Sequence, residues 1–480
     1  MIRRNYFYNV ALSVTNILFP LLSFPYVSRI LGPNGIGSIQ LTVSFAQYFA
    51  FFAALGIPIY GIQEIAKIRD DKSKLDKVFS ELVMIYFITS IVFSALYLVI
   101  IFSIPYFAPN LKLYGYASLI ILLGFSAIDW FYAGIEDFKT MALRSIAVKL
   151  VSLGLLYLFV RNASDLHNYL FVTVFALIGN NLINFIIVGR KTTFVFPSKQ
   201  AARHLTPLLY IFSTTVAASM YSVLDTVLLG FITDEKSVGL YVAAVKVAKV
   251  SIPLITSAGL IMIPQISKKM HEGDEAGVQS ALNDVFRFFA FFSIPLAVGM
   301  LTLSRESILV FSGKQFAEAI TCMQIVSVLP VLIGYGFYFA SLILIPGGRT
   351  KQTFISVFAG MCISIVLNIF LVPIFKQNGA SAALVVTELA VTVLYFYFVR
   401  KYFSYKYDWS ALLIALLCTL PFLLIVYAVR WLDLTPLLTL IISVLLCAGS
   451  YFALQYFVFR NVLVTKVINL VFTKFGLMKN

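Results

Sequence analysis

Among the ionisable residues that lie inside long apolar stretches of this sequence, where charged side chains are rare, six are the candidates for a functional role. They are Arg29, Asp129, Asp225, Lys246, Lys249 and Glu388. A charge in hydrocarbon is costly, so such a residue usually faces a charged partner, a water-filled cavity or a polar ligand. Lysine and arginine in a cavity would bind an anionic ligand, whereas carboxylates would neutralise the lysines or bind a coupling cation. The six residues are therefore the candidates for a functional site inside a membrane.

Asp225 and Lys246 occupy consecutive apolar stretches that are joined by the short turn TDEKS. Both lie roughly 10–12 Å from the outer surface at about 1.5 Å per helical residue, and one interpretation is a buried ion pair that fixes a helical hairpin. Lys249 lies on the same helical face as Lys246 and one turn nearer the midplane, and Asp225 cannot neutralise both lysines. We therefore expect Lys249 to contact water, an anionic ligand or Glu388, which reaches a comparable depth.

Arg29 and Asp129 have two interpretations each. Arg29 lies near the outer end of the first apolar stretch, and it would either line the same cavity or extend to the lipid headgroups. Asp129 precedes Trp130 in the inner half of the fourth stretch, and it would either cap a helix or pair with the basic loop that follows. Both alternatives stay open at the level of the sequence.

The composition is that of a membrane protein. Hydrophobic residues make up 60% and charged residues 12% of the chain, and the mean hydropathy is +0.94, whereas charged residues approach about a quarter of a soluble domain. The net charge of +15 does not indicate nucleic-acid binding, because the basic residues punctuate apolar stretches. Three histidines, four cysteines within apolar segments and no glycine-rich phosphate loop predict no metal site, no cofactor and no enzymatic activity.

Apolar stretches of about 20 residues, long enough to cross roughly 30 Å of hydrocarbon, recur about fourteen times. The predicted spans are residues 5–31, 37–63, 78–104, 113–134, 143–161, 169–189, 207–232, 238–266, 281–304, 319–345, 352–373, 379–400, 411–432 and 436–458. With the N-terminus inside, 26 of the 36 lysines and arginines lie on the inner side and 8 on the outer side. This excess predicts that both termini are cytoplasmic.

An internal repeat divides the predicted helices. The segment that begins at Leu31 resembles the one that begins at Leu229: a Leu-Gly pair ends a span, a polar turn closes at Gly37 or Gly239, and the next span exits into a basic loop. The offset of six spans favours a parallel pseudo-two-fold repeat, with shared membrane composition as the alternative. The predicted fold is all-α and polytopic, with two six-helix lobes facing a central cavity and an extra C-terminal helix pair.

The predicted domains follow from this repeat. They are a first lobe (1–190), a cytoplasmic linker (191–206), a second lobe (207–400), an additional helix pair (401–458) and a cytoplasmic tail (459–480). The tail places Val464, Val467, Ile468, Val471 and Phe475 on one helical face. This pattern favours an amphipathic helix on the inner leaflet, and a mobile tail is the alternative.

Several motifs occur in a family-specific order over about the first 400 residues. They are VSRILGPNGIGSIQ, LGIPIYGIQEIAKIRDD, DWFYAGIEDFKTMALRS, and YSVLDTVLLGFITDEKSVGLYVAAVKV followed by IPQISK. Together they resemble the Wzx-type polysaccharide flippases of the multidrug/oligosaccharidyl-lipid/polysaccharide exporter superfamily. In this resemblance the family's charged positions fall on Arg29, Asp129, Asp225 and Lys246, whereas Lys249 and Glu388 come only from depth and pairing.

The resemblance implies a flippase of the bacterial cytoplasmic membrane. Its substrate would be an undecaprenyl-diphosphate-linked oligosaccharide, moved by alternating access through a cationic cavity, and its partners would be membrane lipids and other polysaccharide assembly proteins. A cation-coupled multidrug exporter is the alternative, although the basic excess at Lys246 and Lys249 favours an anionic substrate. A membrane glycosyltransferase or polymerase would need a larger extramembrane loop, and a structural scaffold would not retain charges at this depth.

Overall fold

A computed structural model describes residues 2–196, 199–460 and 465, and the side chains of residues 2–14, 16–17, 199–200, 213–222 and 258 lie outside that description. The described chain is helical and contains no strand, which confirms the predicted all-α class. Its α-helices are α1 (Ile2–Ala54), α2 (Ile57–Ile68), α3 (Lys72–Ser103), α4 (Leu111–Leu122), α5 (Asp129–Gly134), α6 (Phe138–Phe159), α7 (Leu166–Ile187), α8 (Leu205–Ile232), α9 (Glu235–Val250), α10 (Ile252–Glu272), α11 (Glu275–Thr302), α12 (Ser304–Phe311), α13 (Ala319–Val326), α14 (Leu329–Phe337), α15 (Thr350–Tyr402), α16 (Trp409–Thr419), α17 (Pro421–Arg430) and α18 (Pro436–Ala453). A 3₁₀ turn (Lys199–His204) precedes α8, and a π-helical segment (Tyr338–Leu344) follows α14.

Eleven helical stretches in the described residues are long and apolar enough to cross a membrane. Their outward surfaces carry large apolar side chains, and on α18 alone Leu438, Leu445 and Phe452 are exposed. In water such surfaces would form apolar patches far larger than those of soluble proteins, so the helices must be surrounded by lipid. The chain is a multi-pass membrane protein.

Two of the eleven stretches are much longer than one crossing requires. Leu18–Ile68 has 51 residues and Thr350–Tyr402 has 53, whereas about 20 helical residues cross the hydrocarbon. Non-helical backbone interrupts α1 at Gly32 and α15 at Lys376, close to predicted boundaries between consecutive spans. The eleven stretches therefore do not fix the number of crossings, and fourteen stays a prediction.

Glycine and proline explain where the first helices break. Gly32 has a φ of 64°, a left-handed conformation that glycine adopts without a Cβ clash, and Pro33 disfavours helical backbone at the residue before it. Gly56, with a φ of 78°, precedes α2, and Pro58 lies in the first turn of that helix, where a missing N–H breaks no helical hydrogen bond. The predicted second span, 37–63, is therefore not one continuous helix.

The two turn glycines of the predicted repeat approach backbone very closely. A Cβ added to Gly37 would lie 1.7 Å from the carbonyl oxygen of Glu235, and one added to Gly239 would lie 2.0 Å from that of Pro33. All four residues belong to the first compact unit described below. No larger side chain fits at either position without displacing backbone, which gives a packing reason for both glycines.

The chain divides into two compact units, residues 1–239 and 240–480. The core of the first unit is rich in aromatic side chains, including Phe45, Phe79, Tyr97 and Phe131. The fully buried Tyr97 hydroxyl donates a hydrogen bond to the carbonyl oxygen of Tyr114 at 3.0 Å. Each buried hydroxyl of this kind needs such an acceptor, because an unpaired polar group in an apolar core is destabilising.

The second unit has two aromatic cores on opposite parts of α11. In one, the hydroxyl of Tyr338 donates to the carbonyl oxygen of Leu282 at 3.1 Å. In the other, the ring centre of Tyr451 of α18 lies 5.3 Å from that of Phe291, and the Tyr451 hydroxyl donates to the Phe291 carbonyl oxygen at 2.9 Å. Helices α16 to α18 are thereby packed against α11.

The predicted domain boundaries stay a proposal beside this division into units. Residues 197 and 198 of the predicted linker lie outside the described part of the chain. The same holds for the predicted amphipathic tail, of which only residues 459, 460 and 465 are described.

Candidate functional site

Three of the six predicted site residues lie in the first unit. Arg29 is exposed on α1, and its guanidinium donates to the carbonyl oxygen of Pro25 one turn earlier. Asp225 on α8 is 4% exposed and interacts electrostatically with Tyr48 of α1. The acidic group is thus enclosed between helices, whereas the arginine lies on an accessible surface.

Asp129, the third of these residues, belongs to a polar cluster that joins α5, α6 and α7. Its carboxylate accepts a hydrogen bond from the Asn184 side chain and interacts electrostatically with Arg144. The Arg144 guanidinium lies 4.3 Å from the ring centre of Tyr132, and its Nε donates to the carbonyl oxygen of Thr140 at 2.8 Å. This geometry suits a structural role for Asp129, because its charge is already opposed by a buried arginine.

The other three predicted residues lie in the second unit. Lys246 and Lys249 are both half-buried on α9, three residues apart and therefore on one helical face. Glu388 is half-buried on α15, beyond the break at Lys376, and interacts electrostatically with Tyr395. Helix α9 thus holds two cationic groups close together. The predicted pairs Asp225–Lys246 and Lys249–Glu388 stay proposals.

A buried ionic cluster in the first unit was not predicted from the sequence. The fully buried Glu81 of α3 accepts hydrogen bonds through Oε2 from Arg203 at 2.8 Å and contacts His204 Nε2 at 2.9 Å. The other ring nitrogen of His204, Nδ1, lies 2.8 Å from the hydroxyl of Tyr60 on α2. His204 and Tyr60 are 3% and 7% exposed, so the cluster ties two helices to the turn before α8.

A cavity of about 540 Å³ adjoins this cluster. Its walls carry cationic, acidic and aromatic groups: Tyr60, Glu64, Lys74, Lys77, Arg203 and His204, with Ile68 and Val78. Part of the ionic cluster therefore faces a cavity with polar side chains in its wall, while Glu81 lies behind it.

Glu81 could have been selected from the sequence as a candidate, whereas Arg203 and His204 could not. Glu81 lies inside the predicted span 78–104, so the rule that selected the six candidate residues also applied to it. Arg203 and His204 lie in a predicted loop, where charged residues are expected and carry no signal. Only the packing of helices α2 and α3 against that loop brings the groups together.

The second unit has its own ion pairs near helix ends. Arg287 of α11 donates through Nε to Asp408 at 2.6 Å. Arg430 of α17 binds both carboxylate oxygens of the buried Glu306, at 2.9 and 2.8 Å. Hydrogen bonds from Ser410 and Arg287 lower the pKa of Asp408, which outweighs the effect of its partial burial.

Proteins with related sequences and solved structures with a similar fold include transporters and flippases. The "Putative O-antigen transporter" of Escherichia coli (strain K12) is 27% identical over 413 residues, which cover 83% of this chain and 97% of that protein. A structure of the lipid II flippase MurJ in an inward closed conformation has a TM-score of 0.64 at 18% identity, covering 92% of this chain and 99% of that one.

An inward-facing multidrug resistance MATE family transporter of the MOP superfamily gives the same TM-score at 14% identity, over 82% of this chain and 97% of that one. Likeness at these identities shows a shared fold, that of the MOP superfamily. The family model described as "Polysaccharide biosynthesis protein" matches residues 2–270, more than half of the chain. The chain therefore belongs to the polysaccharide biosynthesis protein family.

Proposed function

We propose that this protein is a flippase that moves an undecaprenyl-diphosphate-linked oligosaccharide across the bacterial cytoplasmic membrane. The observation that carries the proposal is the pair of cationic side chains, Lys246 and Lys249, on one face of a membrane helix in a member of this family. A diphosphate and its sugars do not cross hydrocarbon unaided, and a lysine pair offers the anion charge-assisted hydrogen bonds during crossing.

The remaining predicted site residues receive different proposed roles. Arg29 is a further contact for the anionic group, because its guanidinium is exposed. Asp225 and Glu388 are the proposed partners of Lys246 and Lys249 or the groups that bind a coupling cation. Asp129 is proposed to hold helices α5 to α7 through Arg144 and Asn184.

The proposed cycle is alternating access between two six-helix lobes, residues 1–190 and 207–400, with both termini in the cytoplasm. It includes no chemical step, so we propose a transporter without enzymatic activity. The relative that carries the name O-antigen transporter supports a sugar-bearing substrate, and the polysaccharide family supports the same class. Other polysaccharide assembly proteins are proposed to supply and receive the substrate.

The charge at position 249 provides the test. Purified protein in liposomes with a lipid-linked oligosaccharide would be assayed for substrate exposed on the far leaflet. We expect Lys249→Ala to lower flipping about 10-fold to 100-fold, the equivalent of losing one charge-assisted hydrogen bond. Lys249→Arg should retain most activity because the charge remains, and Lys249→Glu should be worse than Lys249→Ala because it repels the diphosphate.

The exposed Lys351 at the start of α15 offers a matched control, since Lys351→Ala removes the same charge outside the proposed site. It should leave flipping unchanged. A cation-coupled multidrug exporter would tolerate Lys249→Glu better than Lys249→Ala. Wild-type flipping by the Lys249→Glu variant would therefore contradict the proposed function.

A further inference from the structure

The buried Glu81, His204 and Tyr60, together with the exposed Arg203, have the geometry of a proton-binding site. In the tautomer that carries its proton on Nε2, His204 donates to Glu81 Oε2 at 2.9 Å, and its Nδ1 accepts from the Tyr60 hydroxyl at 2.8 Å. Both ring nitrogens are therefore satisfied in the neutral state. The proposed transport role of the lysines on α9 uses none of these groups.

The same heavy-atom positions also accommodate a protonated imidazole. One proton from a hydronium ion of the solvent would bind to Nδ1, which then donates to the Tyr60 oxygen, and the Tyr60 hydroxyl hydrogen would rotate toward the adjoining cavity. The Nε2–H bond to Glu81 persists, and the charge of the cluster rises by one. Because a hydroxyl rotates freely, the site can gain or lose a proton without moving a helix.

The charged groups around His204 oppose one another. Glu81 of α3 favours the imidazolium, and its second oxygen, Oε1, is buried without a hydrogen-bond partner among the described residues. Arg203 opposes it, since the guanidinium also binds Glu81 Oε2 and its Nε lies 3.4 Å from His204 Nε2. Glu64 of α2 and Lys74 and Lys77 of α3 line the adjoining cavity, with opposite effects.

The cavity gives the buried group a route to water. Tyr60 and His204 form part of its wall, and at about 540 Å³ it is large enough for many water molecules. It adjoins the loop ends of α2 and α3, the end that the basic residues predict to be cytoplasmic.

We propose that Glu81, His204 and Tyr60 form a proton-binding site that is loaded from this cavity. Loading places a second positive charge beside Arg203 and so changes how tightly the turn before α8 is held on α2 and α3. Proton binding itself is independent of the flippase function. Its effect on the transport cycle rests on that proposed function.

The chain has only three histidines, so their ring signals can be followed individually by NMR. Full-length protein with isotope-labelled histidine, in nanodiscs, would be titrated, and His167→Gln, His204→Gln and His271→Gln would assign the signals. We expect the His204 signal to change when a proton binds at this cluster. Glu81→Gln should weaken proton binding at His204, because the neighbouring negative charge is lost.

Tyr60→Phe is the second variant and keeps the protein testable if Glu81→Gln does not fold. It removes the acceptor for Nδ1–H and should also weaken proton binding at His204. The exposed His167 and His271 are internal controls whose midpoints should not change. A His204 signal that stays in one protonation state, or a midpoint that neither variant changes, would overturn the proposal.

The transport arm separates this proposal from the flippase function. Flipping by the wild type should vary with pH around the NMR midpoint, and His204→Gln should flatten that profile. If the protein flips no lipid-linked oligosaccharide at any pH while His204 titrates as expected, the flippase function fails and the proton site stands. If flipping occurs but His204 does not titrate, the proton site fails alone.

Discussion

In each unit a segment outside the α-helices is held against a long helix, but the interactions differ. The segment precedes α8 in the first unit and contacts α3, and it precedes α16 in the second unit and contacts α11. Helix α3 of the first unit and α11 of the second each begin with an aspartate N-cap, Asp71 and Asp274, which accepts a hydrogen bond from the backbone three residues later. One turn or more farther on, each helix binds a segment of extended or turn-like backbone. The contrast between these two attachments shows what a buried ionic group adds to a membrane protein.

In the first unit the attachment is polar throughout. Asp76 accepts hydrogen bonds from both Thr192 and Thr193, and Ser80 accepts one from the backbone N–H of Val195 at 2.9 Å. Beyond them lies Glu81, fully buried and bound to the cationic and imidazole groups of the turn before α8. These interactions depend on charge and hydrogen-bond geometry.

In the second unit the attachment is largely aromatic. Gln279 exchanges two hydrogen bonds with the backbone of Lys406, at 2.9 and 2.6 Å. The ring of Phe286 then lies 5.7 Å from both Tyr407 and Trp409. The ion pair of this attachment, Arg287–Asp408, is partly exposed, with side-chain exposures of 42% and 20%. A partly exposed pair contributes little to stability, so we expect the aromatic contacts to dominate here.

The largest expected effect is that of Glu81→Ala. It removes the carboxylate that binds both the half-exposed Arg203 and the buried His204, and losing two hydrogen bonds to a charged group costs roughly 3–5 kcal/mol. Hydrogen–deuterium exchange of the amides in residues 192–196 and 201–207 should show protection lowered by about two to three powers of ten. Unchanged protection in these segments would mean that the ionic cluster does not hold the first attachment.

Tyr407→Ala should give the next largest effect, in the second unit. It removes a half-buried ring from the aromatic cluster, and we expect a loss of about 2–3 kcal/mol in the stability of residues 403–408, measured by the same exchange experiment. Tyr407→Phe is the matched control. It keeps the ring and removes a buried hydroxyl that has no hydrogen-bond partner among the described residues, so it should change stability by less than about 0.5 kcal/mol.

If Tyr407→Phe weakened the attachment of residues 403–408 as much as Tyr407→Ala, the hydroxyl and not the aromatic ring would hold this segment. The comparison between an ionic first unit and an aromatic second unit would then be wrong.

The smallest expected effect is the acid response of the second unit. The folded-state pKa of Asp408 is lowered, so the stability it contributes is present above its unfolded value of about 4 and is lost as the pH falls through the lower, folded value. The wild type should therefore exchange faster in residues 403–408 below about pH 4, after correction for intrinsic rates. Asp408→Asn should lose about 0–1 kcal/mol at neutral pH and show no such acid step.

Local sequence patterns were sufficient for the broad architecture. The apolar stretches predicted a polytopic helical protein, and eleven helical stretches of spanning length confirm that class in the described residues. The break at Gly32 was predictable because glycine followed by proline cannot continue a helix easily. The break at Leu55 and Gly56 was not, because apolar residues continue on both sides and hydropathy does not report backbone angles.

The same patterns selected ionisable residues by depth but could not choose their partners. Asp129 was a candidate from the sequence, yet its neighbours Asn184 and Arg144 follow from how α5, α6 and α7 pack.

Glu81 and His204 are 123 residues apart and come together only because the turn before α8 lies against α2 and α3. Hydropathy depends on each residue and its near neighbours, whereas the identity of a charged partner depends on distances through space. The sequence by itself therefore determined that this chain is a helical membrane protein with charges at depth. Only the tertiary structure decided that Glu81 is bound to His204 and Arg203. It also decided that charged groups hold the segment before α8 in the first unit, whereas aromatic rings hold residues 403–408 in the second.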